Sequence, residues 1–112
     1  MAEITDDFMR ERLATTRPYT AVLLRATQRR REPGDDAIVW EHGRRNFALR
    51  AQGVLAIVCP VTDEAEVRGI CIFSAPVEEV VRIMEGDPAV IAGIFTCDVL
   101  PVQSVPGDAL TG

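Results

Sequence analysis

The chain contains a single histidine, His42, and histidine is the side chain that most readily gains and loses a proton near neutral pH. A neighbouring carboxylate would fix its tautomer and stabilise its charged form, as general acid–base catalysis requires. The candidate carboxylate is Asp87, which opens a segment of sequence DPAVIAG. The residue types alone also allow two simpler roles, a half-exposed helix histidine and an aspartate that only caps a helix. We take His42 and Asp87 as the predicted catalytic pair, with these simpler roles as the alternative.

Three arginines, Arg44, Arg45 and Arg50, follow His42 within the same predicted helix. A guanidinium binds carboxylates through two parallel hydrogen bonds, so any of the three could hold an anionic substrate group. Arg45 shares the helical face of His42 and is therefore the predicted substrate-binding residue. An ordinary solvated helix face is the alternative. The arginine run at 29–31 is typical of a solvated loop.

The pattern of cysteines and the absence of known catalytic motifs exclude several kinds of site. Cys59, Cys71 and Cys97 each lie in an apolar run that predicts a strand, and their spacing is too wide for a CxxC metal or redox site. Their odd number argues against a disulfide framework, so we expect reduced thiols and a cytoplasmic protein. The sequence has no glycine-rich phosphate loop, metal-ligand cluster or serine-nucleophile elbow. We therefore predict neither a cofactor nor a metal.

Length and charge limit the class of protein. A chain of 112 residues is the size of one domain. Its net charge of −5 argues against a general nucleic-acid binder and against attachment to an anionic membrane surface. No apolar run is long enough to span a bilayer, and the polar N-terminus does not resemble a signal peptide. The expected partners thus include neither nucleic acid nor a membrane.

Hydrophobic periodicity and the positions of proline and glycine predict the elements that must place these residues. The main helix begins at Asp35 or Asp36 and runs to about Gln52, and a second helix starts at Pro76 and ends at Gly86. The other predicted elements are an N-terminal helix within 5–16, strands at 19–26, 54–59, 67–73 and 94–102, and a short helical turn within 88–93.

The order β-α-β-β-α-β predicts an α+β fold of the ferredoxin-like type, a four-stranded antiparallel sheet with two helices on one face. The expected organisation is an N-terminal helical arm at 1–18, a ferredoxin-fold domain at 19–103 and a tail at 104–112. The main helix has an apolar stripe that is predicted to pack on the sheet, while His42 lies on a second, mixed face. The stripe consists of Trp40, Phe47, Ala48 and Ala51.

Both faces of the predicted sheet are apolar. On the third strand, for example, Ile70 and Ile72 alternate with Cys71 and Phe73. The two helices can cover only one face, so we expect a homodimer that packs sheet on sheet to cover the other.

Three features of the sequence resemble a known family. His42 lies eleven residues before Gly53, the glycine that ends its helix. A strand ends in Cys59-Pro60, where the family usually has Gly-Pro, and Asp87-Pro88 is followed by Ala92-Gly93 and a strand that ends near a proline. On these features the chain resembles, over residues 19–102, the YCII-related family, which is similar in fold to muconolactone isomerase and other dimeric α/β-barrel proteins.

The resemblance implies a dimeric α/β barrel in which His42 and Asp87 form a dyad in a pocket. Enzymes of similar fold act on small aromatic-pathway metabolites, and one branch resembles a dehydrochlorinase of chlorinated hydroxyquinones. The chain departs from the family pattern at Cys59, and the N-terminal arm and the arginine run at 29–31 lie outside it.

Two functions follow as hypotheses. In the first, a pocket between the main helix and the sheet holds a small organic metabolite, and His42 and Asp87 catalyse its isomerisation or an elimination without a cofactor, with Arg45 on an anionic group. In the second, the protein is a non-catalytic dimeric module that binds a small ligand or serves as an accessory partner. Nucleic-acid binding through residues 29–31 is the least favoured function.

Overall fold

The computed structural model describes residues 2–29 and 31–112 and has an α+β architecture. None of the helices in these two ranges combines the length and the apolarity that a membrane-spanning segment needs. In chain order the elements are α1 (Asp6–Leu13), β1 (Arg17–Ala26), α2 (Asp35–Ala51), β2 (Leu55–Pro60), β3 (Val67–Phe73), α3 (Val77–Glu85), α4 (Pro88–Ile91) and β4 (Phe95–Ser104).

The four strands form one antiparallel sheet in the order β2-β3-β1-β4. The two central strands are β1 and β3. The connection through α2 passes over β3 to reach β2, and the connection through α3 and α4 passes over β1 to reach β4. This arrangement confirms the predicted α+β class and is compatible with a ferredoxin-like fold. The strand bounds differ slightly from prediction, since β1 begins at Arg17 and β4 continues to Ser104.

One face of the sheet carries the core beneath the helices. Alternate residues of β1, including Val22 and Leu24, are buried there, and the register brings Cys71 and Phe73 of β3 to the same side. Helix α3 adds Val80 and Met84, which lie four residues apart on its apolar stripe. This helix is therefore amphipathic, with its apolar stripe in the core.

The opposite, open face of the sheet is largely apolar and carries a close ion pair, between Arg25 and Asp98 at 2.7 Å. The register pairs Leu23 with Ile70 and Ala21 with Leu100, so these four side chains lie on one surface. Ile70 is 42% exposed and Leu100 is 45% exposed. Cys59 belongs to this surface too, because it pairs with Ile70.

Helix α1 forms an arm that adds no buried residue to the core. Thr5 caps it by accepting a hydrogen bond from the backbone N–H of Phe8 at 3.1 Å. The molecule measures 56 × 29 × 24 Å, and its radius of gyration of 16.6 Å exceeds the value of about 13 Å expected for a compact chain of this length. This elongation is what an arm that extends from the body produces.

The predicted orientation of α2 is wrong. Trp40 and Phe47, which were expected against the sheet, are 70% and 74% exposed. The mixed face packs inward instead, with Leu49 buried and His42 nearly so. A polar side chain can be buried at low cost when it has a hydrogen-bond partner, and His42 has one in Asp87.

Candidate active site

His42 and Asp87 are in direct contact, although 45 residues separate them in the chain. The imidazole Nδ1 lies 2.8 Å from the Asp87 Oδ1. Both side chains are removed from solvent, with 12% of His42 and 1% of Asp87 exposed. The middle of α2 supplies the histidine and the start of α4 supplies the aspartate. The structure thus brings the two predicted catalytic residues together.

The two carboxylate oxygens of Asp87 have different partners. Oδ2 accepts hydrogen bonds from the backbone N–H groups of Ala89 at 3.0 Å and Val90 at 3.2 Å, which caps α4. Oδ1 is left for the imidazole. The predicted capping role and the predicted pairing with His42 are therefore compatible, because each uses its own oxygen.

The environment keeps Asp87 ionised. Burial opposes its ionisation, but the hydrogen bond and charge of His42, with the N–H groups of Val90 and Ala89, outweigh this and lower the pKa of Asp87 below its usual value. An ionised carboxylate only accepts hydrogen bonds, so the proton of the His42–Asp87 contact resides on Nδ1. When the imidazole is neutral, its lone pair is then on Nε2.

Asn46 and Phe95 complete the surroundings of the imidazole. Asn46 lies one helical turn after His42, and its Nδ2 is 3.4 Å from Nε2. The Phe95 ring packs against the imidazole at a tilt of 59°, with 5.5 Å between ring centres. Sequence reasoning missed Asn46, although its spacing of four residues from His42 on one helix was a usable signal.

A cleft of about 380 Å³ lies between α2 and the sheet, beside this pair. This is where the first hypothesis placed a pocket. His42 and Asn46 line it, whereas Asp87 lies behind the imidazole. Its walls are mainly apolar and include Leu24, Phe47, Val58 and Phe95.

The structure does not place Arg45 in the cleft. Its NH1 group lies 3.9 Å from the Asp87 Oδ1, on the far side of the pair, and is buried without a hydrogen-bond partner in the described ranges. This position suits an influence on Asp87 better than the predicted contact with a substrate. The arginines that do line the cleft are Arg50 and Arg68, neither of which was a predicted site residue.

A β-bulge explains the position of Arg68. The β1–β3 register passes from Leu24 opposite Gly69 to Arg25 opposite Val67, so Arg68 is the extra residue of β3. A bulge changes the direction of the side chains next to it, and both Arg68 and Gly69 line the cleft. No pattern in the sequence indicated this irregularity.

The arginine run at 29–31 is only partly the solvated loop that was expected. The guanidinium of Arg29 makes a two-pronged contact with the buried carboxylate of Asp35 and also reaches Glu32 at 3.1 Å. The hydrogen bond from Arg29, with one from the backbone N–H of Glu32, lowers the pKa of Asp35. Arg31 is exposed and lies 3.4 Å from Asp36, and Arg30 falls outside the described residues.

Cys71, which is buried, and Cys97, which is half-buried, are protonated thiols. Burial raises the pKa of Cys71, which lines the cleft, to about 11, and that of Cys97 to about 12. Only the thiolate is a strong nucleophile or metal ligand. Within the part of the chain that the structure describes, no cluster of three or more histidine, cysteine or acidic side chains is arranged to hold a metal ion.

Comparisons with known proteins leave the family of this chain open. No family model matches the chain, and no curated protein matches it either. The resemblance to the YCII-related family stays a prediction from the residues that carry it.

Proposed function

We propose that the protein is an enzyme that catalyses proton transfer on a small organic metabolite, leading to isomerisation or elimination. The observation that carries this proposal is the 2.8 Å contact between the His42 Nδ1 and a buried, ionised Asp87 beside an apolar cleft. A histidine oriented by a carboxylate on one nitrogen presents the other nitrogen as a base, and His42 lines the cleft.

The proposed step begins with Nε2 of His42. This nitrogen accepts a proton from a carbon next to a carbonyl group of the metabolite, and the electron pair of the C–H bond moves towards the carbonyl oxygen. The imidazolium that forms is stabilised by Asp87 through Nδ1–H. Return of the proton to another carbon completes an isomerisation, and departure of a leaving group completes an elimination.

The walls of the cleft favour such a step. A volume of about 380 Å³ falls within the range typical of small-molecule sites. Its mainly apolar walls give a bound ligand surroundings of lower polarity than water, in which electrostatic interactions are stronger. The side-chain amide of Asn46 lies 3.4 Å from Nε2, a long contact that a bound metabolite would replace, and the amide would then donate a hydrogen bond to the developing oxyanion.

The proposal includes a homodimer and membership of the YCII-related family. An apolar open face that contains Ile70 and Leu100 supports sheet-on-sheet packing into a dimeric α/β barrel. The contact of His42 with Asp87 is what the family resemblance implies. The cytoplasmic location stays a prediction from the expected reduced thiols.

A test that needs no known substrate is hydrogen–deuterium exchange at carbon. The protein is incubated in D₂O with a panel of small carbonyl compounds, and deuterium incorporation is measured by NMR and mass spectrometry. We expect His42→Asn to lower the rate of exchange by about 10²- to 10⁴-fold, the usual contribution of a general base. Asp87→Asn is expected to give a smaller loss, because the base is then present but poorly oriented.

The matched control is Glu41→Gln, which changes the neighbouring, exposed residue of the same helix. It should exchange at the wild-type rate. Equal exchange by folded His42→Asn and wild type would contradict the proposal. Saturable binding of panel members without any catalysed exchange would instead favour a non-catalytic ligand-binding module.

A further inference from the structure

The charge of the cleft is opposite to that of the chain. The protein carries a net charge of −5, yet two arginines, Arg50 and Arg68, line the cleft. Among the described residues that line it, none is an aspartate or a glutamate. The nearby carboxylate of Asp87 is held by His42 and by the cap of α4. The cleft thus has the electrostatic character of an anion-binding site.

Neither guanidinium is neutralised within the described ranges. No carboxylate there lies within 4 Å of Arg50 or Arg68, in contrast to Arg29, which Asp35 and Glu32 hold. Among the described residues, the guanidinium of Arg68 makes a single, long polar contact, from NH1 to the backbone carbonyl of Asp63 at 3.5 Å. An arginine that is not engaged by the protein retains its capacity to bind a carboxylate with two hydrogen bonds.

The bulge in β3 fixes where the Arg68 side chain lies. It turns the side chain towards the cleft and sets it where a second, more polar cleft of about 430 Å³ adjoins the first. Phe95 also lines both clefts. Arg68 is half-buried at this junction, and an anion bound against the protein there interacts with it more strongly than in open water.

The distance between His42 and Arg50 limits the length of the ligand. Arg50 follows His42 by eight residues on α2, which is about 12 Å along the helix axis. Both side chains reach into the same cleft, so one ring or a short chain fits between a carbon that reacts at His42 and an anionic group near Arg50. The rings of Phe47 and Phe95 offer flat apolar surfaces for that intervening part.

We propose that the cleft binds small monocyclic carboxylic acids, with the ring between Phe47 and Phe95 and the carboxylate on Arg68 and Arg50. This inference rests on the proposed function, which assigns the reacting end of the ligand to His42. It replaces Arg45 by these two arginines as the anion-binding residues.

The experiment compares an acid with its neutral analogue. The probes are 3-phenylpropionate and 3-phenylpropionamide, which share a ring and a chain but differ in charge. Binding to the full chain is measured by calorimetry, and the site is located by NMR chemical-shift mapping. We expect the acid to bind roughly tenfold or more tightly than the amide, with shifts at residues of the cleft.

Variants then assign the charge preference. Arg68→Gln and Arg50→Gln should each remove most of the preference for the acid, while Arg68→Lys should keep part of it, because lysine retains the charge but not the two-pronged geometry. Arg44→Gln is the matched control, because Arg44 lies on the same helix, pairs with Glu41 and does not line the cleft. It should bind as wild type does.

Three results would overturn the inference. Two concern wild type and do not depend on the folding of a variant, namely equal binding of acid and amide, and absence of acid binding at millimolar concentration. The third is a preference for the acid that survives both glutamine variants. If the inference fails in this way, His42-dependent exchange on neutral carbonyl compounds would still support the proposed function. Conversely, acid binding that depends on the arginines, without exchange that depends on His42, would contradict the proposed function and not the inference.

Discussion

Asp87 both caps a helix and orients His42. Its Oδ2 holds the first turn of α4, so the carboxylate cannot rotate away from the imidazole without losing the cap. Its Oδ1 is therefore held at a fixed place relative to His42. A cap that also orients a base supplies preorganisation from a contact that the fold already needs.

The lowered pKa of Asp87 predicts how stability depends on pH. Because the folded state holds this carboxylate ionised more strongly than the unfolded state does, its contribution is present above the ordinary aspartate pKa of about 3.9 and is lost as pH falls through the lower, folded-state value. We expect Asp87→Asn to lower the free energy of unfolding by about 1–3 kcal/mol at neutral pH and by progressively less in acid. Urea denaturation at a series of pH values measures the difference.

The control for this prediction is Asp36→Asn, since the Asp36 side chain is 92% exposed. Its stability should follow the wild-type pH dependence. A constant difference between Asp87→Asn and wild type from neutral pH to about pH 2 would show that the carboxylate contributes nothing through its charge.

The residues of the site were only partly predictable from the sequence. His42 was conspicuous as the sole histidine, and Asp87-Pro88 has the signature of a helix start, so both could be singled out. The arginines could not be sorted in the same way. Arg45 shares the helical face of His42, but the tertiary packing places it behind Asp87, and the position of Arg68 depends on a bulge that leaves no local signature.

At the scale of elements, substituting alanine for each of two glycines should change the free energy of unfolding in opposite directions. Gly93 follows α4 with φ of +76°, a conformation that costs an alanine about 1 kcal/mol or more. Gly43 lies inside α2, where an added Cβ would meet nothing within 4 Å. We expect Gly93→Ala to lower the free energy of unfolding by about 1 kcal/mol and Gly43→Ala to raise it by about 0.5–1 kcal/mol.

Each glycine variant is the control for the other, because both add the same methyl group. Urea midpoints at unchanged m-values give the comparison. Shifts of the same sign in the two variants would contradict the assigned conformations.

The error over α2 shows where element-level patterns fail. The pattern correctly gave a helix from Asp35, but it assigned the larger apolar side chains, Trp40 and Phe47, to the inside. Hydrophobicity alone does not count the free energy of a buried hydrogen-bonded pair, and that pair lies on the other face. Helix α3 has no such pair, and there the apolar stripe is the buried one.

The whole molecule has an uncovered apolar sheet face, which predicts a dimer. Ile70→Glu would place a charge in the centre of a sheet-on-sheet interface, where its desolvation is unfavourable, yet in a single chain this position is partly exposed. We therefore expect light scattering to give twice the chain mass for wild type and the chain mass for a folded Ile70→Glu variant.

Leu110→Glu is the matched control, since Leu110 lies in the tail and is 75% exposed. It should remain dimeric. A wild-type monomer at micromolar concentration would rule out the sheet-on-sheet dimer.

At this largest scale the sequence predicted the path of the chain but not its surroundings. Runs of alternating and continuous apolar residues, interrupted by proline and glycine, were sufficient for the order of elements. The position of helix α1 relative to the sheet was not predictable, because its apolar residues, including Phe8 and Leu13, do not pack into the core and remain exposed in the single chain. Only a second molecule could bury them.

The protonated thiol of Cys71 has a kinetic consequence. Cys71 is buried beside the cleft, and a raised pKa leaves little thiolate to react with an alkylating reagent. A small reagent can reach it through the cleft that it lines, so the labelling rate depends on whether the cleft is free. A bound ligand would slow that rate even if it is never converted. The molecule therefore contains its own reporter of occupancy, which can be followed by the mass of the peptide that carries Cys71.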